Sequence, residues 1–144
     1  MENMNKILDM WEKDAVIDQT EPSRELLKIP TLHNKYLSIL MRHRQASKDI
    51  SFNFLMMKKI KWEYYNGKMS KEHLKEHGWE PFGFTLKSDV TTYMEADSDL
   101  IQLTKQKIAH DEIIFAIESI MKELNARTFQ LRDYIAYEKF INGA

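Results

Sequence analysis

The chain has 144 residues, 43% hydrophobic and 30% charged, so we expect one soluble domain with a packed core. Its formal net charge of −1 excludes a bulk polycation, and the lack of cysteine excludes disulfides and thiolate metal sites. Four glycines and three prolines are too few for a turn-rich all-β fold. These features predict an all-α protein without a signal peptide or a membrane span, suited to a reducing cytoplasm.

The first half of the chain predicts amphipathic helices up to Asn66. One short helix is expected over about residues 6–16, and a second begins near Ser23. Pro30 is expected to break or kink this second helix, because proline lacks a backbone N–H and clashes with the preceding turn. The helical pattern continues over residues 32–66, so about residues 1–66 form the N-terminal helices.

Residues 58–67 hold three lysines and three large aromatic side chains. On a helix, Lys58, Lys61, Trp62 and Tyr65 share one side, while Lys59 stands apart from that stripe. Ammonium groups pair with phosphates and aromatic rings stack on unpaired bases. The pattern therefore predicts that single-stranded nucleic acid binds Lys58, Lys59, Lys61, Trp62 and Tyr65. The alternative is an ordinary helix surface covered by lysine stems.

About residues 67–86 are expected to form a loop, because this stretch holds three of the four glycines. One helical turn is expected around Lys71–His77. The side chains of Trp79, Pro81, Phe82 and Phe84 are expected to hold the loop against the helices.

His73, Glu76 and His77 fit the H-x-x-E-H pattern of inverted zinc peptidases. No further carboxylate ligand stands out, and a solvated segment is the favoured interpretation. We therefore predict no enzymatic activity, no metal site and no cofactor.

Asp97 is expected to cap a long last helix that runs from Ser98 towards Asn142. One apolar seam of this helix alternates three- and four-residue steps, and a second on roughly the opposite side holds Ile101, Ile108 and Phe115. Two seams favour an oligomer held together by about residues 88–144. Its predicted interface comprises Ile113, Ile114, Ile117, Ile120, Met121, Leu124 and Leu131. Burial of these residues within one bundle is the open alternative.

Short matches spread along the chain resemble the UvsY family, the recombination mediators of T4-like bacteriophages. None is decisive alone, but their order over the full length is specific. They are Ile17-Asp18 before Thr20, residues 29–36, Lys59-Ile60-Lys61 leading into residues 64–67, Pro81-Phe82, Lys87–Asp89, Tyr93, Ala96-Asp97, Arg127 with Phe129-Gln130, and Phe140 near Gly143.

The resemblance implies an all-helical protein that assembles into a ring of six or seven subunits. It implies binding to single-stranded DNA, to a RecA-like phage recombinase and to the phage single-strand binding protein, in the cytoplasm of the infected host. Such a mediator loads the recombinase onto DNA covered by that binding protein, and the family's basic pair falls on Lys59 and Lys61. A structural helical oligomer or adaptor that binds only proteins is the alternative.

Overall fold

In the computed structural model, which describes residues 1–83 and 86–143, the described residues form five α-helices and no strand. The helices are α1 (Met4–Asp14), α2 (Pro22–Tyr65), α3 (Lys71–His77), α4 (Val90–Glu95) and α5 (Ser98–Ile141), and a 3₁₀ turn precedes α4. The predicted all-α fold with a long C-terminal helix is confirmed. The predicted packing role of Phe84 falls outside the described residues.

Polar side chains cap the starts of α1 and α5. The Asn3 side chain accepts a hydrogen bond from the backbone N–H of Lys6 at 2.9 Å. Asp97 Oδ1 accepts from the backbone N–H groups of Asp99 and Leu100, both at 3.0 Å. These carboxamide and carboxylate oxygens satisfy N–H groups that the first turn of a helix leaves without a partner. The predicted cap at Asp97 is confirmed.

Helix α2 passes through Pro30 without interruption, so the predicted break there is wrong, while the kink named as its alternative stays a prediction. A proline has no N–H and therefore removes a single helical hydrogen bond. Pro30 is exposed, so water can donate to the carbonyl group that would otherwise accept from that N–H. The rest of this 44-residue helix keeps its own hydrogen bonds and its packed face. One missing hydrogen bond is therefore insufficient to end it.

The chain divides into two compact units. One combines Met1–Gln45 with His110–Ala144, and the other is Ala46–Ala109. The boundaries between the two units fall inside α2 and α5, after residues 45 and 109. The sequence predicted a single domain, with a loop over about residues 67–86 and C-terminal helices from about residue 88.

The core of the first unit is a cluster of aliphatic side chains around one tyrosine. Tyr36 is fully buried, its hydroxyl donates to Asp14 Oδ2 at 2.7 Å, and its ring meets Trp11 edge-on at 5.8 Å between centroids. The cluster contains Ile7, Tyr36, Ile39, Leu40, Ile113, Ile117, Ile120 and Leu124. Burying these apolar groups is the main favourable term for this unit.

This core corrects the predicted subunit interface. Ile117 and Leu124 have no exposed surface, and Ile114 and Met121 pack against the same cluster. Ile113, Ile120 and Leu131 are also buried within the chain. A side chain that its own chain already covers has little apolar area left to bury against a second subunit. The first seam is therefore satisfied within the chain, in agreement with the alternative prediction of burial within one bundle.

The second seam of α5 remains uncovered. Ile101 is 39% exposed, Ile108 54% and Phe115 71%. Phe129, two heptads beyond Phe115, is 64% exposed. Phe115 and Phe129 both lie in the first unit, and large exposed apolar side chains of this kind indicate a contact surface.

Truncation of Leu124 tests the placement of this core. Leu124→Ala is expected to lower the free energy of unfolding by about 2–5 kcal/mol, because it leaves a cavity among packed side chains. Leu27→Ala is the same change at a position that is 80% exposed, and it is expected to cost about 0.5 kcal/mol or less. Urea unfolding followed by circular dichroism measures both, and equal losses would contradict the burial of Leu124.

Candidate nucleic-acid interface

Helix α2 ends in a left-handed turn at Gly67, next to the predicted end of the N-terminal helices at Asn66. Gly67 has φ +69°, its N–H donates to the Tyr64 carbonyl at 3.1 Å, and the Lys68 N–H donates to the Glu63 carbonyl at 2.9 Å. Glycine adopts this conformation without a Cβ clash. The turn brings Lys68 Nζ over the Trp62 ring, 4.7 Å from its centroid.

Lys58, Lys59 and Trp62 form an exposed edge in the second unit, called here the basic edge. Both lysines are exposed, and Trp62 is 44% exposed. Within residues 1–83 and 86–143, neither ammonium group has a carboxylate at ion-pair distance. The edge therefore presents two ammonium groups without an ion-pair partner beside an indole ring. In single-stranded nucleic acid, ammonium groups pair with phosphates and aromatic rings stack on bases.

Lys61 does not belong to this edge, which corrects its predicted role. Only 6% of the residue is exposed, and its Nζ lies 2.7 Å from Asp99 Oδ2 and 3.1 Å from Asp97 Oδ2. The ammonium group also lies 4.0 Å from the centroid of the Trp79 ring. Two carboxylates already compensate its charge, so the ammonium group would have to leave them in order to reach a phosphate.

Tyr65 is likewise engaged inside the second unit rather than free to stack on a base. Its hydroxyl donates to Asp97 Oδ2 at 2.6 Å. Its ring centroid lies 4.9 Å from that of Phe82 and 5.9 Å from that of Tyr93. Trp79 and Phe82 do pack on α2, since both contact the ring of Tyr64.

The ionisation of this cluster follows from its contacts. Burial alone would raise the pKa of Asp97, but hydrogen bonds from Tyr65, the Leu100 N–H and Lys61 hold it below its ordinary value. Burial alone would lower the pKa of Lys61, but hydrogen bonds to Asp99 and Asp97 hold it above its ordinary value. Burial and the Asp97 carboxylate raise the pKa of the Tyr65 hydroxyl. Asp97 and Lys61 are therefore charged over a wide range of pH.

The four residues of the predicted stripe have different environments, because the stripe covers too wide an arc of the helix to face only solvent. Successive residues advance by about 100° around a helix, so Lys58, Lys61, Trp62 and Tyr65 spread over an arc of about 100°. Lys61 and Tyr65 occupy the side that meets Asp97, and Trp62 the side that meets solvent. Sequence reasoning also missed Lys68, although a glycine-terminated helix returns the next residue towards the last turn.

An open groove of about 800 Å³ borders the basic edge. It lies within the second unit, between residues of α2 on one side and residues of α4 and α5 on the other. Its lining is Phe54, Leu55, Lys58, Lys59, Trp62, Thr91, Met94, Glu95, Leu100, Ile101, Thr104 and Lys105.

The histidine pair of α3 does not form a three-ligand site. His73 Nε2 and His77 Nε2 lie 3.3 Å apart, and the His77 ring stacks on Trp79 at 4.3 Å. A catalytic zinc site takes three protein ligands. No group of three or more metal-binding side chains occurs among the described residues. Within residues 1–83 and 86–143, no helix has both the length and the apolar character needed to cross a bilayer.

Known proteins match both the sequence and the fold. The family model described as recombination, repair and ssDNA binding protein UvsY matches residues 10–144. A crystal structure of the bacteriophage T4 recombination mediator protein UvsY has a TM-score of 0.84 at 17% identity and covers 99% of each chain. A second lattice of that protein has a TM-score of 0.80 at 18% identity, covering 92% of this chain and 96% of that one. No curated protein matched this chain.

Replacement of Lys61 separates a structural role from a binding role. Lys61→Met keeps the apolar stem but leaves Asp97 without its buried cation, so the free energy of unfolding is expected to fall by about 2–4 kcal/mol at pH 7. Lys59→Met, at an exposed position, is the matched control and is expected to change it by about 0.5 kcal/mol or less. Chemical denaturation measures both, and an unchanged Lys61→Met variant would contradict the buried pair.

The stability difference between wild type and Lys61→Met has a defined pH dependence. The pKa of Asp97 is lower in the folded state than its ordinary value of 3.8. The stability that Asp97 contributes is therefore fully present above pH 3.8 and is lost as the pH falls through the folded-state pKa. The pKa of Lys61 is higher in the folded state than its ordinary value of 10.5. The stability that Lys61 contributes is therefore fully present below pH 10.5 and is lost as the pH rises through the folded-state pKa. Denaturation between pH 3 and pH 11 should show a plateau that declines at both ends, and a change centred near pH 7 would contradict this assignment.

Proposed function

The chain belongs to the UvsY family of recombination, repair and single-stranded-DNA-binding proteins, and from this membership we propose that it is a recombination mediator. It binds single-stranded DNA and loads a RecA-like phage recombinase onto DNA that the phage single-strand binding protein covers. The feature of the structure that best supports DNA binding is the basic edge of Lys58, Lys59 and Trp62.

The chemistry of the basic edge suits DNA without sequence preference. Lys58 and Lys59 are adjacent, exposed and without a carboxylate partner among the described side chains, so they can meet phosphates without first breaking an ion pair. Trp62 lies one turn beyond Lys58 and can stack on a base of any identity. Lys68 places a further ammonium group beside the indole. The edge therefore combines phosphate neutralisation with one stacking surface.

Assembly would convert this small site into an effective one. A net charge of −1 gives no long-range attraction for DNA, and two or three lysines bind weakly alone. In a ring of six or seven subunits, the basic edges repeat along one DNA strand, and linked sites bind far more tightly than single ones. The same multivalency would hold DNA while the recombinase replaces the single-strand binding protein.

The exposed side chains of Phe115 and Phe129, on the part of α5 that belongs to the first unit, form the surface we propose for this assembly. These side chains are more than half exposed, so burial against a neighbouring subunit would remove substantial apolar area from water. This surface replaces the buried seam around Ile117, which the chain uses for its own core.

A salt titration tests the DNA site. Lys58→Gln with Lys59→Gln is expected to weaken binding to an oligothymidine and to reduce the slope of log affinity against log salt by about 0.7 for each phosphate that the variant no longer neutralises. Lys6→Gln with Lys13→Gln removes the same charge from exposed positions of α1 and should leave both quantities near wild type. Fluorescence anisotropy measures the affinity and its dependence on salt.

The same titration distinguishes the two candidate functions. If the variant at residues 58 and 59 bound DNA with wild-type affinity and slope, the basic edge would not be the DNA site. If the wild-type protein bound no DNA at low salt, an adaptor that binds only proteins would be the better description.

Charge placed on the exposed seam tests the assembly. Phe115→Asp is expected to reduce the mass of the particle to that of a single chain, because subunit contact would bury an unpaired carboxylate. Since Phe115 is 71% exposed, the helical content should not change. Light scattering and circular dichroism measure the two, with Leu27→Asp as the control at another exposed apolar position. An unchanged particle mass would place the subunit contact on a different face.

A further inference from the structure

The groove beside the basic edge has an apolar floor that lies outside the proposed DNA site of Lys58, Lys59 and Trp62. Phe54 and Leu55 of α2, Met94 of α4, and Leu100 and Ile101 of α5 contribute to this floor. Leu55 is 61% exposed and Ile101 39% exposed, so apolar surface is open to solvent at its centre. A concave, mostly apolar groove of about 800 Å³ is of the size and type that binds a ligand or a peptide.

The border of the groove is positively charged. Lys58 and Lys59 lie on the α2 side and Lys105 lies on the α5 side, with Glu95 as the acidic residue of the lining. The salt bridges of the described residues involve none of these three lysines. An occupant with carboxylates along both of its edges would therefore meet cations on both walls.

The length of the groove fits a short helix. A smaller hollow of about 310 Å³ continues from it along the same two helices and shares Phe54, Leu55 and Thr104 with it. The α2 lining thus runs from Ile50 to Trp62, a distance of about 18 Å at 1.5 Å per residue. About three turns of a partner helix would cover that distance.

We infer that the groove binds an amphipathic helix of a partner protein whose apolar side faces the floor and whose acidic residues face Lys58, Lys59 and Lys105. Helices that lay an apolar face into a hydrophobic groove are a common mode of peptide recognition. DNA bases fit the floor less well, because it is mainly aliphatic and the Thr104 hydroxyl already donates to the Leu100 carbonyl at 2.9 Å. The acidic helix shares Lys58 and Lys59 with the proposed DNA site, so the two ligands compete for that border.

A synthetic peptide provides the test on the full-length protein. The probe is a fluorescein-labelled 14-residue helix with leucine and phenylalanine on one face and glutamate on the other. Its control has the same apolar face and lysine in place of each glutamate. The acidic peptide is expected to bind at least tenfold more tightly than the lysine peptide, and an unlabelled oligothymidine is expected to displace it.

Variants locate the binding in the groove. Leu55→Gln is expected to weaken acidic-peptide binding about tenfold, while Leu27→Gln, the same change at an exposed position of α2 outside the groove, leaves it unchanged. Lys105→Gln is expected to weaken it severalfold, with Lys139→Gln as the control on the same helix. Oligothymidine binding should persist in Leu55→Gln, so that loss of the peptide site and loss of the DNA site are separate readouts.

Four results would overturn this assignment. Equal affinity for the acidic and lysine peptides, or equal affinity of Leu55→Gln and Leu27→Gln for the acidic peptide, would show that the groove does not recognise it. Loss of DNA binding with retained peptide binding in Leu55→Gln would make the floor part of the DNA site. A change of particle mass in Leu55→Gln with unchanged peptide binding would make the groove a contact between subunits.

Discussion

The carboxylate of Asp97 is the contact on which the second unit depends. One oxygen caps the first turn of α5, and the other accepts from Tyr65 and pairs with Lys61. Tyr65 and Lys61 are one turn apart on α2, so a single carboxylate fixes both the start of one helix and the rotation of another. With Lys61 and Tyr65 held inward, Lys58, Lys59 and Trp62 are left on the solvent side.

Local chemistry made the helix ends predictable, whereas burial depended on distant residues. A cap such as Asp97 and a left-handed glycine such as Gly67 act within a few residues, so their roles can be inferred from short sequence patterns. The pairing of Lys61 with Asp99 joins positions far apart in the chain, and no local spacing reveals it. The tolerance of Pro30 also depends on a long packed helix rather than on its neighbours.

The same limit explains why one seam of α5 was assigned to the wrong contact. Periodicity shows which residues share a face, but it does not say whether that face meets the same chain or another one. Ile117 meets α1 and α2 of its own unit, while Phe115, two residues away, stays open to solvent. For the candidate site, the pattern identified Lys58, Lys59 and Trp62 but missed Lys68 and Lys105, which a turn and a neighbouring helix supply.

The division of the chain has a consequence for the order of folding. The second unit is one continuous segment, Ala46–Ala109, whereas the first unit joins the beginning of the chain to its last quarter. During synthesis, Tyr36 and Ile39 leave the ribosome long before Ile117 and Leu124, with which they share a core. The second unit can close while α5 is still being made, and its formation shortens the effective loop that the first core must close. Until α5 is complete, the apolar face of α1 and α2 is exposed, and this is the stage at which the nascent chain is most exposed to aggregation.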